Sequence, residues 1–419
     1  MYFSSKEKTL KSIYNILTHI AGFHLKIIAQ FNQKLKLGVK GRAETFNVLK
    51  TNISSQDKVI WFHCASLGEY EQGLPVFEKI KSQYPAHKIV LSFFSPSGYE
   101  IRKNSPIADA IVYLPLDTNE NAKRYLNVVH PELVVFVKYE FWPNYLYELK
   151  KRNIRSILIS ALFRKDQSFF KFYGAWMQKS LQAFEHIFVQ NESSKELLQS
   201  INYKSVTVSG DTRFDRVSNQ LQIDNTLDFI QEFKQDKLCV VAGSTWPEDE
   251  QLFVNFINSV SNQVKFIIAP HNIKPQQIDG LKQGIKKPVV LFSEKENHDL
   301  TIAQVFIIDT IGILSKIYSY ADIAYVGGAL GNTGLHNTLE PAVFGVPIII
   351  GKNYDNFPEA FEMKSLGGLF SISNQPTFNT ALNTLITDNQ KRLESGTANT
   401  EYITSNKGAI TQIMGYLSR

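Results

Sequence analysis

Short apolar runs alternate with helix-length segments along nearly the whole chain, and this alternation constrains the fold more than any other feature. Runs such as Leu133-Val134-Val135-Phe136-Val137 are apolar at every position, so both faces of the strand must be covered, as in a parallel sheet. The first series of strands is expected at Val59–Ala65, Ile89–Phe94, Ala110–Leu114, Leu133–Val137, Ser156–Ser160, His186–Gln190 and Val206–Ser209. A polar stretch, Asp215 to Asp236, interrupts it. The alternation then restarts at Leu238–Ala242, Lys265–Ala269, Val289–Phe292, Val305–Ile308, Ile323–Val326 and Pro347–Ile350. Two such series predict an α/β protein of two doubly wound domains with a cleft between them. Thr377 to Arg419 reads as helical and is expected to pack back across the domains. With 419 residues, 43% of them hydrophobic, the chain has ample material for large cores, which excludes disorder as its main state.

The net charge of +6 is unevenly placed. Residues 1–42 hold eight basic residues against Glu7 alone, which leaves the remainder close to neutral. So mild a surplus, with no base-reading motif, excludes a dedicated nucleic-acid binder. In the same segment Ile13, Ile16, Leu17, Ile20, Phe23, Ile27 and Phe31 recur at helical spacing, opposite Asn15, His19, Gly22, Lys26 and Gln30. A spanning helix would carry His19, His24 and Lys26 through hydrocarbon at high cost. A helix lying in the membrane interface fits better, with Lys6, Lys8, Lys11, Lys34, Lys36 and Lys40 reaching anionic headgroups. The plainer alternative is a helix packed on its own domain. Cys64 and Cys239 fall in separate strands, with no disulfide framework and no signal-peptide cleavage pattern, which fits a reducing compartment.

Ligands in open parallel sheets bind beyond the C-terminal strand ends. At the first such end, His63-Cys64-Ala65-Ser66-Leu67-Gly68-Glu69 runs from strand into turn, and Glu69 starts the next helix. A carboxylate there is a candidate general base or, more plainly, a first-turn acid facing the helix dipole. Glu140 follows the strand Leu133–Val137, placed to orient a substrate or support Glu69, or to cap a helix and pair with Lys138. In Gly243-Ser244-Thr245-Trp246-Pro247, the glycine admits a ligand, Ser244 and Thr245 are candidate caps, and Pro247 suits the first helical position. Such a terminus is an anion site, although an ordinary capped helix carries the same residues. The run Gly327-Gly328-Ala329-Leu330-Gly331-Asn332-Thr333-Gly334 leads into a helix expected to begin near His336. His336 and Glu340 would then share one helical face, with Glu340 placed to accept ribose hydroxyls, or the two would form a satisfied pair. Arg213, past a strand end near the domain junction, is a candidate phosphate or carboxylate donor, or half of a surface ion pair. No Asp-x-Asp, no G-x-G-x-x-G after a strand and no zinc spacing of histidines is present, so neither a metal nor a dinucleotide cofactor is expected.

Taken together, Ser66-Leu67-Gly68-Glu69, Glu140-Phe141-Trp142-Pro143-Asn144, Gly243-Ser244-Thr245, Asp309-Thr310-Ile311-Gly312, Gly327-Gly328 and His336-Asn337-Thr338-Leu339-Glu340-Pro341 resemble the Kdo transferases of lipopolysaccharide biosynthesis. The likeness runs in the same order over nearly the whole chain. It implies a GT-B fold: a basic membrane-associated segment at 1–42, an acceptor-binding Rossmann-like domain at 43–217 and a CMP-sugar-binding one at 218–419. It implies an inverting, metal-independent glycosyltransferase with CMP-Kdo as donor. The acceptor would be the acylated, phosphorylated disaccharide precursor of lipid A (lipid IVA), met at the cytoplasmic face of the bacterial inner membrane. Carried over by position, Glu69 is the general base and Glu140 a second essential acid. Arg213, Gly243, Ser244, Thr245, His271, Lys274, Gly327, Gly328, His336, Asn337 and Glu340 would hold the donor, and Ser66, Gly68 and Arg164 the acceptor.

The chain departs from the family pattern in places. Lys138-Tyr139-Glu140 replaces Glu-Thr-Glu, Ala269-Pro270-His271 replaces Pro-Arg-His, and Lys274 stands for Arg. Ser160-Ala161-Leu162 replaces Asn-Ala-Arg, with Arg164 close by as a compensating cation. Two alternatives stand beside the transferase. One is a nucleotide-sugar epimerase of GT-B type, which would not need the N-terminal segment. The other is a non-catalytic, membrane-associated nucleotide-sugar-binding protein, against which Glu69 and Glu140 argue.

Overall fold

The computed structural model describes residues 5–171, 174–261 and 263–418, with side chains from Thr9 onward; those of Lys6 and Lys8 lie outside the described residues. The chain divides into two compact units, Met1–Asp215 with Gly408–Arg419, and Arg216–Lys407.

The first unit is built on seven parallel strands: β1 (Val59–Cys64), β2 (Lys88–Phe93), β3 (Ala110–Tyr113), β4 (Leu133–Val137), β5 (Arg155–Ala161), β6 (His186–Val189) and β7 (Val206–Val208). Their order in the sheet is β3-β2-β1-β4-β5-β6-β7. The all-apolar run in β4 is explained by burial on two sides. Val134 and Phe136 join a core with Trp61 and Leu158, while Leu133, Val135 and Val137 join another with Ile60 and Phe62. The second unit repeats the plan with β8 (Leu238–Thr245), β9 (Val264–Pro270), β10 (Val289–Leu291), β11 (Val305–Ile307), β12 (Ile323–Val326), β13 (Ile348–Ile350) and β14 (Leu369–Ser371). Their order is β10-β11-β9-β8-β12-β13-β14, again parallel. In each sheet the winding reverses beside the first strand, between β1 and β4 and between β8 and β12. The helices leave these junctions in opposite directions, which opens a notch at the C-terminal strand ends.

The strands expected from sequence are all present, and β14 is an additional one at the sheet edge. Cys64 and Cys239 are buried in β1 and β8. The last helix, Ala409–Leu417, packs Ile410, Ile413 and Leu417 into the core of the first unit, so it does not belong with the 218–419 domain expected. Asp215 fixes its start by accepting the backbone N–H groups of Gly408 and Ala409, each at 3.0 Å.

Two helices precede β1: α1 (Ser5–Ile28) and α2 (Gln33–Asn52). The amphipathic α1 is seated by its polar face. The Tyr14 hydroxyl donates to Asp117 Oδ2 at 2.8 Å, and Asn144 Nδ2 donates to Asn15 Oδ1 at 2.8 Å. Asp117 also accepts the N–H groups of Asn144 and Tyr145, each at 3.1 Å, at the start of the helix Pro143–Lys151. The apolar stripe points outward, with Phe23 64% and Phe31 86% exposed. The plainer alternative, a helix packed on its own domain, is met by these polar contacts, while the apolar stripe stays exposed. Lys26, Lys34, Lys36 and Lys40 are exposed, whereas Lys11, expected at headgroups, lies over the Tyr147 ring at 3.4 Å. Among the described residues, no helix is long and apolar enough to cross a membrane.

Burial raises the Asp117 carboxyl to about 6, so its remaining donors matter. Tyr14→Phe removes one donor from a buried carboxylate and should cost about 1–3 kcal/mol. Urea unfolding measures this, and trypsin cleavage at Lys26 should accelerate. An unchanged midpoint with unchanged cleavage would show that Tyr14 does not hold α1.

Candidate active site

Glu69 and Glu140 follow β1 and β4, the two strands that flank the reversal in the first sheet. Ser66 caps helix α3 (Leu67–Gln83) by accepting the Glu69 N–H, and Glu69 Oε2 accepts the Ala65 N–H at 2.5 Å. Glu69 thus does serve as a first-turn acid, yet it is only 8% exposed. Burial, with the nearby Glu140 charge, raises its carboxyl to about 8, against the stabilising Ala65 N–H and Lys138. A Cβ placed on Gly68 would meet nothing within 4 Å, so the space beside this first turn is open.

Glu140 is not paired as a plain surface acid. Its Oε2 lies 2.8 Å from His63 Nε2 and accepts the Trp142 indole N–H at 2.6 Å. His63 is fully buried in β1, with Nδ1 2.8 Å from Ser92 Oγ. Trp61 donates to that same Oγ at 2.7 Å, and the Ser92 carbonyl lies 3.1 Å from Nδ1. His63, Ser92 and Trp142 were not singled out from the sequence. The signal was a histidine inside an apolar strand, where a polar group needs partners.

Cations gather beside the pair. Burial raises the Tyr139 hydroxyl, with Arg164 and Arg213 opposing and Glu69 and Asp211 reinforcing it. Arg164 Cζ stands 5.3 Å from the Tyr139 ring. Arg213 Nε donates to Asp211 Oδ2 at 2.8 Å, so the ion-pair alternative is realised for this arginine. Non-glycine residues with positive φ mark the strand ends: Lys138 at 65° after β4, Ser160 at 51° in β5 and Ser244 at 53° in β8. Backbone strain of this kind is held only where surrounding structure over-determines it, and it clusters at working sites.

In the second unit, the ends of β8 and β12 meet in the same way, with Gly243 paired beside Val326. Gly243 is required by packing, because a Cβ there would collide with the Tyr318 hydroxyl. Gly328, at φ 93°, would collide with the Gly334 carbonyl. Asp249 ties the two loops together and was not foreseen. Fully buried, it accepts from Trp246 N at 3.0 Å, Gly328 N at 3.1 Å and Tyr325 Oη at 2.6 Å. Pro247 does begin the helix Pro247–Ser259, but Trp246 is the capping position. Thr245 instead donates to Glu250 at 3.1 Å.

His336 lies in a loop, and the short helix begins only at Leu339. It therefore shares no helical face with Glu340, contrary to expectation. His336 Nε2 accepts the Trp246 indole N–H at 3.3 Å, and its ring lies 4.4 Å from that of His271. His271 is in turn stacked on Trp246, centroids 4.8 Å apart. Burial and the neighbouring His271 depress His336 to about 4, and burial also lowers His271. Both rings are therefore neutral near pH 7. Asn337 Nδ2 donates to Glu340 Oε1 at 3.1 Å, and Ser315 Oγ to Oε2 at 3.2 Å. Glu340, Ser315 and Arg216 line a small cavity of about 50 Å³. Lys274 is exposed at the start of the helix Pro275–Gly284. Among the described residues, no three His, Cys, Asp or Glu side chains come together as a metal site.

Two doubly wound α/β units with sites at both reversal points define a protein of the GT-B fold class. A solved UDP-GlcNAc 2-epimerase from Neisseria meningitidis has the same fold, with a TM-score of 0.62 at 14% identity over 86% of this chain and 100% of that one. Residues 40–216 match the family described as 3-deoxy-D-manno-octulosonic-acid transferase, or Kdo transferase. The likeness extends further: a 3-deoxy-D-manno-octulosonic acid transferase of Haemophilus influenzae is 27% identical over 85% of this chain and 86% of its own. One of Aquifex aeolicus is 26% identical over 80% and 88%. The resemblance read from the motifs is borne out, and the family is one of glycosyltransferases in lipopolysaccharide biosynthesis.

The buried Glu69 carboxyl also bears on stability. Between its ordinary 4.5 and about 8, the unfolded chain releases this proton while the folded chain keeps it. Stability therefore falls as pH rises through that window. Glu69→Gln removes the loss, so its Tm should exceed that of the native protein at pH about 9 and match it at pH about 4. Calorimetry at the two pH values checks this, and equal Tm values at both would refute the raised carboxyl.

Proposed function

We propose that the chain transfers Kdo from CMP-Kdo to the acylated, phosphorylated disaccharide precursor of lipid A, by an inverting, metal-independent reaction. The observation that carries this reading is Glu69, a buried carboxyl raised to about 8 beside the open space at Gly68. Glu69 takes the proton of the acceptor hydroxyl as that oxygen bonds to the anomeric carbon of Kdo. The bond from that carbon to the phosphate breaks on the opposite face, and CMP leaves with the electron pair. Charge growing on the phosphate is met by the N-terminus of the helix Pro247–Ser259. Neutral His271 and His336, stacked with Trp246, hold the nucleotide by ring contact and hydrogen bonding, with Lys274 as the nearby cation. Asn337 and Glu340 face the ribose, and Ser66, Gly68 and Arg164 face the acceptor. Glu140 acts on Glu69 through its charge and fixes His63 and Trp142 behind it.

The acceptor is a membrane lipid, which accounts for the outward apolar stripe and the exposed Lys26, Lys34, Lys36 and Lys40. In this reading α1 lies on the cytoplasmic face of the inner membrane, its flanking cations on anionic headgroups.

Incubation with CMP-Kdo and lipid A precursor should add mass to the lipid in whole Kdo units. Glu69→Ala should keep CMP-Kdo binding and lose transfer by about 10²-fold or more. Near-normal turnover of that variant would remove Glu69 as the base. For the native protein kcat/KM should rise with pH and level off above about 8, because only the ionised carboxylate accepts a proton. Glu140→Gln should move that limb to lower pH, since the Glu140 charge helps hold the Glu69 proton. A limb that stays in place would separate Glu140 from Glu69.

A further inference from the structure

An open cavity of about 470 Å³ lies in the first unit between α1, α2 and the segment after β3. Its volume falls within the ~300–1,000 Å³ typical of sites that bury a small ligand. Phe23, Leu25, Val39, Phe46, Pro115 and Leu116 give it apolar walls. Three basic side chains, His19, Lys26 and Arg42, also line it, against the single acid Glu120 in that lining. Arg42 is unusual. Its guanidinium donates to the carbonyls of Gly38, Leu114 and Phe94, at 3.0, 3.1 and 2.6 Å. No carboxylate among the described residues pairs with it, so a largely buried cation is left facing the cavity without an anion.

Two continuities identify an occupant. Phe23 belongs both to the cavity wall and to the outward apolar stripe, so an aliphatic chain passes from one to the other without crossing water. On the inner side, Arg42 Cζ stands 4.5 Å from the Phe94 ring, and Phe94 lies 4.6 Å from Trp142, the residue that donates to Glu140. Two of the carbonyls that hold Arg42, those of Phe94 and Leu114, follow β2 and β3, at the same sheet end as Glu69. We propose that this cavity takes one acyl chain of the phosphorylated, acylated acceptor, with Arg42 and Lys26 meeting a phosphate of its headgroup. The proposal rests on the acceptor reading above and adds where that acceptor is held. A chain seated there leaves the sugar directed along Phe94 and Trp142 toward Glu69.

Ala43 is exposed on α2 and lines the cavity, so Ala43→Trp fills it from the surface. The readout is the ratio of kcat/KM for the acylated acceptor to that for its fully deacylated disaccharide bisphosphate, both with CMP-Kdo. A ratio taken within one protein cancels any general loss of fold or catalysis. Ala43→Trp should lower it by about tenfold, and an unchanged ratio overturns the proposal. A binding measurement needs no turnover: an acceptor analogue with a diazirine in one acyl chain should label residues 18–26, 39–46 and 115–121, and Ala43→Trp should abolish this. Labelling confined to the outward stripe overturns the cavity and leaves the membrane reading intact. Labelling of the cavity without transfer to either acceptor supports the cavity and sinks the transferase reading.

Discussion

The reversal of winding beside the first strand of each sheet is the constraint from which the rest follows. A parallel strand ends with its carbonyls and the next helix start at one edge, and covering helices normally close over that edge. Between β1 and β4, and between β8 and β12, the coverings depart in opposite directions. Side chains carried on the turns there can be held by the sheet behind them while an opening remains in front. Glu69, Glu140, the Gly243–Thr245 turn and the Gly327-Gly328 loop all occupy these turns. Their chemistry is a consequence of where the sheet stops protecting the chain.

The two notches are furnished differently. The first concentrates buried acids, so its working quantity is proton affinity. Glu69 is raised by burial and by Glu140, while a His63–Ser92–Trp61 chain holds Glu140 in place. The second concentrates neutral donors, acceptors and rings. Its histidines are depressed, and the fully buried Asp249 is consumed in tying Trp246 to Gly328. A pair of buried carboxyls stands in one unit and a cluster of stacked rings in the other. In the proposed reaction this matches the division between the acceptor hydroxyl and the nucleotide.

Much of this was legible in the sequence. All-apolar strand runs can be satisfied only by two-sided burial, and Gly-rich or acidic turns after them name the edge that bears ligands. What was illegible has a common cause: periodicity gives the phase of a pattern and not its partner. The α1 stripe was readable, but not that Tyr14 and Asn15 would seat the opposite face. Thr245 looks like a cap in any helix-start pattern, and only the fold reveals that Asp249 already serves Trp246. His63 was hidden because one polar residue barely disturbs a strand of apolar neighbours. His336 and Glu340 share a face only if a helix spans them, and the loop from Gly327 continues past His336 instead. β14 has three residues, too few for any period to register.

The five residues Glu140-Phe141-Trp142-Pro143-Asn144 join these themes. At one end Glu140 and Trp142 close the buried network behind Glu69. At the other, Asn144 donates to the Asp117 carbonyl and to Asn15 of α1, at 2.6 and 2.8 Å. Pro143 begins the helix between them and needs no partner for its missing N–H. A helix whose apolar face is left outward gains little from burial, so its position depends on this small set of polar contacts. One of those contacts, from Asn144 to Asn15, is made by the same segment that carries Glu140. The seat of α1 and the network behind Glu69 thus meet in one short stretch of backbone.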